Sequence, residues 1–206
     1  MILYKTVMEE AEAEQTIEKS RFISHIKPVT SKEAAEEFIA EIRASYKTAT
    51  HNVPAFVIGN KMQLQWASDD GEPQGTSGAP IVQMLVKEGI TNVAVVVTRY
   101  FGGIKLGTGG LVRAYTSSAK LALEAAGIAD VREMLVLEVR MAYSYLAKMK
   151  NLAGEFFSVE NISYTDSIVM QLSTEPENEE RLKAFLADMT AGSARIISEK
   201  VEFVKV

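Results

Sequence analysis

The sequence predicts a two-part α+β protein, and three observations carry that reading. Residues 93–98, VAVVVT, are a short apolar run without alternation, the pattern of a strand buried on both faces. Helical patterns with apolar residues three and four apart stand on either side of it. Beyond about residue 130 the pattern restarts in the order β-α-β-β-α-β, the split βαβ arrangement. Domains are therefore expected at 1–130 and 131–206.

The elements follow in order. Residues 21–29, RFISHIKPV, alternate as a strand, and Thr30 with Glu33 forms a capping box for the next helix. That helix shows Ala35, Phe38, Ile39, Ile42 and Tyr46 on one face. VPAFVIGNKMQLQW reads as a hairpin turning at Gly59-Asn60. ASDDGEPQGTSG is a loop by composition, Pro80 suits the first turn of a short helix, and Gly89 suits its end. A longer helix is expected from about Gly110 to Ala126, stopped by Gly127. In the second part, Leu135, Leu137, Val139 and Met141 alternate as a strand, and Tyr145–Leu152 suits a short helix. Strands at 156–164 and 167–173, a helix capped by Thr174 and Glu177, and a last strand over ARIISEKVEFVKV complete it.

The totals bound the function. The 206 residues are 47% hydrophobic and 24% charged, with a net charge of −5. Both parts are slightly acidic: 13 basic against 15 acidic residues in 1–130, and 9 against 12 in 131–206. A nucleic-acid contact therefore needs a local basic patch. No cysteine is present, which excludes disulfides, zinc-thiolate sites and thiol catalysis. No apolar run reaches a membrane span, and the start turns acidic where a signal peptide needs an apolar core. A cytoplasmic protein with no membrane partner is the expectation.

The stretch VTRYFGGIKLGTGGLVRAY (97–115) places five glycines in nine positions between a strand and a helix. Two known glycine motifs fail. No Lys-Ser/Thr pair follows a glycine as a phosphate loop needs, and Val112 stands where the dinucleotide fingerprint needs its third glycine. A looser reading stands: free amides at a helix start favour an anion, with Arg99, Lys105 and Arg113 close in sequence. The candidate anion or nucleic-acid site is Arg99, Gly102, Gly103, Lys105, Gly107, Gly109, Gly110 and Arg113. Equally, the glycines serve the backbone alone, and Arg99 pairs with an acidic residue across the fold. Tyr100 and Phe101 are either stacking platforms or core.

His51, Asp69, Asp70 and Glu72 are candidate supports. The SDDGEPQ stretch lacks the spacing of a calcium loop, and a turn or a magnesium site remain as readings. His25 and His51 are the only histidines, and no nucleophile elbow accompanies them. No catalytic residue, metal or cofactor is assigned.

The segments KSRFISH (19–25), HNVPAF (51–56), SDDGEPQGTSGAPI (68–81) and VVVTRYFGGIKLGTGGLVRAYTSSA (95–119) together resemble the IMPACT family, in its bacterial YigZ-like branch. The likeness runs through most of 15–127, and the tail resembles the small C-terminal domain often attached in bacteria. The resemblance implies a left-handed βαβ two-layer sandwich, of the kind in a small-subunit ribosomal protein and in the fourth domain of elongation factor G, followed by a ferredoxin-like domain. It also implies a role in translation: eukaryotic relatives compete for an activator of an initiation-factor kinase. A non-enzymatic regulator is expected, contacting RNA, the ribosome or a translation factor through the basic glycine corner. The alternative is an enzyme that binds a nucleotide or phosphate ligand with Mg²⁺ at the same loop. Oligomeric state is left open.

Overall fold

The computed structural model describes residues 2–205. The chain divides into two compact units, Leu3–Asp130 and the part from Val131 onward. It is a mixed α+β protein.

In the first unit, β2 (Ala11–Ile17), β3 (Ser20–Pro28), β4 (His51–Ile58), β5 (Leu64–Ala67) and β6 (Val93–Tyr100) form an antiparallel sheet in the order β2-β3-β6-β4-β5. A further strand, β1 (Ile2–Val7), touches the segment after the second helix through a Lys5–Ile90 bridge. The helices are α1 (Lys32–Ser45), α2 (Gly78–Lys87) and α3 (Gly107–Ala126). Strand β6 is central and buried on both faces, as its unbroken apolar run requires. Val93, Val95 and Val97 meet Ile81, Leu85, Tyr115 and Ala119 on the α2–α3 side. Ala94 and Val96 meet Phe38, Ile39 and Ile42 of α1 on the other. Helices therefore cover both faces of this sheet.

Several local expectations are corrected. Ser31, not Thr30, caps α1, its Oγ accepting from the Ala34 amide at 3.2 Å. The β4–β5 turn spans 59–63 rather than two residues, because the register joins Ile58 to Leu64. Strands β1 and β2 are additions to the sequence reading, and in β2 the glutamates hide the strand pattern. In β2 the glutamates alternate outward while Ala11, Ala13 and Ile17 pack against the core. Helix α3 starts at Gly107, one turn earlier than Gly110. Thr174 caps no helix; its hydroxyl donates to the Phe156 carbonyl at 2.6 Å, and the next helix begins at Glu179.

The second unit takes β7 (Ile128–Met141) from Val131 onward, then α4 (Leu146–Leu152), β8 (Ser158–Tyr164), β9 (Ile168–Thr174), α5 (Glu179–Thr190) and β10 (Arg195–Lys205). Its antiparallel pairings run β10-β7-β9-β8, the ferredoxin-like order. Leu135, Leu137, Val139, Met170 and Leu172 form the inner face, closed by Met149, Leu182 and Leu186.

One buried group is expected to make the fold acid-sensitive. His25 of β3 is buried, with Nδ1 3.1 Å from Glu12 Oε2 and the Tyr46 ring 4.8 Å away. Its Nε2 is sealed without a partner. Burial pushes the ring below the ordinary histidine value, against the opposing pull of Glu12 and Glu10. The unfolded chain thus takes up this proton at a higher pH than the folded one. The stability is present above about pH 6.5 and is lost as pH falls below it. Urea midpoints measured from pH 8 to pH 5 are expected to drop through that window, and His25→Gln is expected to flatten the drop.

Candidate functional site

The sheet register sets up the site. Arg99 of β6 lies between Phe22 of β3 and His51 of β4, all at one end of the α2–α3 face. Two residues earlier, Val97 is core, so alternation turns the Arg99 side chain inward, where it is only 4% exposed. A buried guanidinium needs a carboxylate, and Glu72 supplies it at 2.6 Å. Tyr115 of α3 donates to the same Glu72 oxygen, Oε1, at 2.7 Å. Burial and that hydrogen bond push the Tyr115 phenol far above its ordinary value, so it stays a donor. Arg99 also donates to Ser20 Oγ at 3.2 Å and lies 5.4 Å from the centres of the Phe22 and Phe101 rings.

His51 Nδ1 is 2.8 Å from the Asp70 carbonyl oxygen. A carbonyl only accepts, so Nδ1 carries the proton, and in the neutral ring Nε2 is an acceptor. Nε2 lies 3.7 Å from Glu72 Oε1.

Thr50, His51, Glu72 and Arg99 form one wall of a cavity of about 440 Å³. The other wall is Lys105, Gly107 and Thr108 at the start of α3. Pro73, Phe101, Leu106 and Leu111 give it an apolar lining. Helix α3 has no side-chain cap and no acidic residue in its first turn. Its first amides are therefore left for solvent or a ligand, at the positive end of the helix.

The other sequence-predicted residues separate into groups. Arg99, Lys105, Gly107, His51 and Glu72 share this cavity. Gly110 and Arg113 line a second one of about 490 Å³ with Glu18, and Lys105 and Leu106 border both. Lys105 and Arg113 are exposed and, among the described residues, have no ion pair or hydrogen bond. A Cβ added at Gly109 would sit 3.6 Å from Arg113 Nη1, so that guanidinium lies along the first turn of α3. The free positive charge at this corner thus comes from Lys105 and Arg113, whereas Arg99 is neutralised by Glu72.

Gly102 and Gly103 serve the backbone. Gly103 has φ +85°, and a Cβ on Gly102 would lie 2.0 Å from the Lys19 carbonyl. Asp69 accepts from the Gly75, Ser77 and Gly78 amides and the Ser77 hydroxyl, which caps the start of α2. Burial alone would raise its carboxyl, but these bonds outweigh burial and hold it below the usual range. Asp70 binds Arg43 and the Asn52 amide. Neither aspartate lines the cavity, and no group of three or more possible metal ligands stands together among the described residues.

Phe101, weighed as core, is 47% exposed beside the cavity. Tyr115, Ser20 and Thr50 were not among the sequence-predicted residues. Tyr115 read as an ordinary core position of its helix. Ser20 lies within KSRFISH and Thr50 just before HNVPAF, but neither role shows in the sequence because their partners are 82 and 51 residues away.

With this geometry in place, residues 18–123 match the model of the Impact N-terminal domain, about half the chain, and residues 139–193 match a domain of unknown function, DUF1949. The chain belongs to the IMPACT family. It is 37% identical to the IMPACT family member YvyE of Bacillus subtilis over 203 residues, covering 98% of this chain and 94% of that one. It is 33% identical to the IMPACT family member YigZ of Escherichia coli over 197 residues, covering 94% and 93%. A crystal structure described as a hypothetical protein matches with a TM-score of 0.61 at 29% identity, over 98% of this chain and 97% of the other. The cavity therefore lies within the stretch that matches the Impact N-terminal domain. Among the described residues, no helix is long and apolar enough to cross a membrane.

Proposed function

We propose that this IMPACT-family protein is a cytoplasmic, translation-associated binding protein that takes RNA, free or ribosomal, at the start of α3. The observation that carries the reading is the uncapped helix start opening into an aromatic-walled cavity, with two unpaired cations beside it. A phosphate fits the first amides of α3 and Lys105, where helix-end charge and hydrogen bonding act together. Phe101 offers a ring face for a base, its other side lying toward Arg99. The association with translation rests on the family resemblance.

The reading is tested with a fluorescent single-stranded RNA octamer. Lys105→Ala is expected to lower the slope of log affinity against log salt by about 0.7, one phosphate contact on a single strand. Phe101→Ala is expected to weaken binding by about 1–3 kcal/mol with the slope unchanged, as lost stacking does. Sedimentation with ribosomes, released by salt, is the second readout. If the wild type binds neither RNA nor ribosomes at low salt, the reading is wrong. Ribosome binding with no RNA binding would instead place the partner among the ribosomal or translation-factor proteins, and would also overturn it.

A further inference from the structure

The α3 side of the cavity presents donors, and the opposite wall presents acceptors that the fold itself leaves unused. Among the described residues, every hydrogen bond to the Glu72 side chain falls on Oε1, from Arg99 and from Tyr115. The Glu72 side chain is 4% exposed, yet Oε2 has no donor among the described residues and is not sealed from solvent. The His51 ring is fixed by the Asp70 carbonyl at Nδ1, and its Nε2 faces Glu72 Oε1 at 3.7 Å without a hydrogen bond. A simple anion would satisfy the helix start and leave the open Glu72 oxygen without a donor. The occupant must bring an anionic group, one or more hydroxyl or amine donors, and an apolar face.

We propose that this wall reads the 2′-hydroxyl of a ribonucleotide whose phosphate lies at the start of α3, so that the site selects RNA over DNA. The inference rests on the proposed RNA binding and adds the feature that specifies the sugar. A ribonucleotide meets the three demands at once: phosphate for the amides and Lys105, a ribose hydroxyl for Glu72 Oε2 or His51 Nε2, and a base for Phe101. A carboxylate is the group that other folds use to hold ribose hydroxyls. The 2′-hydroxyl is the donor that distinguishes the two nucleic acids. The cavity of about 440 Å³ lies within the range of nucleotide-sized sites.

The main comparison changes the ligand, with one protein variant as a control. Affinities of the wild-type chain are measured for three eight-residue adenine oligomers, one of RNA, one of DNA and one of 2′-O-methyl RNA. The methylated strand keeps the ribose pucker of RNA but has no donor. The expected result is RNA binding at least about tenfold tighter than both others, the worth of one hydrogen bond to a charged acceptor. Lys105→Ala is expected to weaken all three alike. Equal affinity for the three strands would overturn the sugar reading and leave phosphate binding standing. A methylated strand that binds like RNA would also overturn it, since pucker would then be the feature read. Binding of none of them at low salt would overturn the proposed function and this inference together.

Discussion

Arg99→Ala is expected to destabilise the first unit by about 3–5 kcal/mol, measured as the shift in urea unfolding free energy. The reason is the carboxylate left behind. Glu72 is buried with only His51, at 3.7 Å, and the Tyr115 hydroxyl to replace the guanidinium. Breaking a buried pair from one side leaves a charge uncompensated, and that is far worse than removing both members. Arg99→Met combined with Glu72→Gln is accordingly expected to cost much less than Arg99→Ala alone. The double change removes the charge along with its partner and keeps a hydrogen-bonding group for Tyr115. Equal costs for the two variants would contradict this account, in which the uncompensated Glu72 charge carries most of the loss. This places Arg99 as a pillar under the cavity, which a sequence argument from basic residues alone assigns to ligand contact.

Gly102→Ala is the second large effect. The new methyl would lie 2.0 Å from the carbonyl carbon and oxygen of Lys19 and 2.5 Å from the Ser20 amide nitrogen. These are backbone atoms and cannot rotate away. The turn they belong to joins β2 and β3 through Glu18 and Lys19, both at positive φ (45° and 64°) and neither a glycine. That turn has little freedom left to yield. Overpacking of this kind costs about 1–3 kcal/mol. The Gly102 amide would also leave Ser20 Oγ, the hydroxyl it shares with Arg99. Phe101 and Lys105 ride on this stretch, so RNA affinity is expected to fall together with stability. Gly109→Ala is the contrast: its methyl would make only ordinary contacts, the nearest 3.6 Å away, at a helical position. A Gly102→Ala protein as stable as wild type would refute the close approach of these two loops.

Much of the architecture was legible because periodicity reports burial directly. VAVVVT announced a strand with both faces covered, and Leu135, Leu137, Val139 and Met141 announced a half-covered one. Strand β2 was hidden because an edge strand with glutamates outward and alanines inward has almost no apolar signal. The caps were misplaced by one residue at α1 and by a turn at α5, since a serine or threonine near a helix start satisfies the pattern wherever it falls. The candidate site was legible in part. The glycine stretch did mark a helix start facing a cavity. Its chemistry was not legible, because Arg99 meets Glu72 and Ser20 across 27 and 79 residues. Only the pairing of β3 with β6 and the path of the loop before α2 bring them together. The same is true of Asp69, which looked like a ligand-bearing acid and instead caps α2 from nine residues away.

The central claim is that a phosphate-bearing strand sits on the first amides of α3. It is tested most directly by amide proton–nitrogen NMR spectra recorded while a single-stranded RNA octamer is added. The account predicts that the largest shifts fall on Gly107, Thr108 and Gly109, with smaller ones at Phe101 and Lys105. Saturating shifts confined to strands of the second unit, with the α3 amides unmoved, would contradict it.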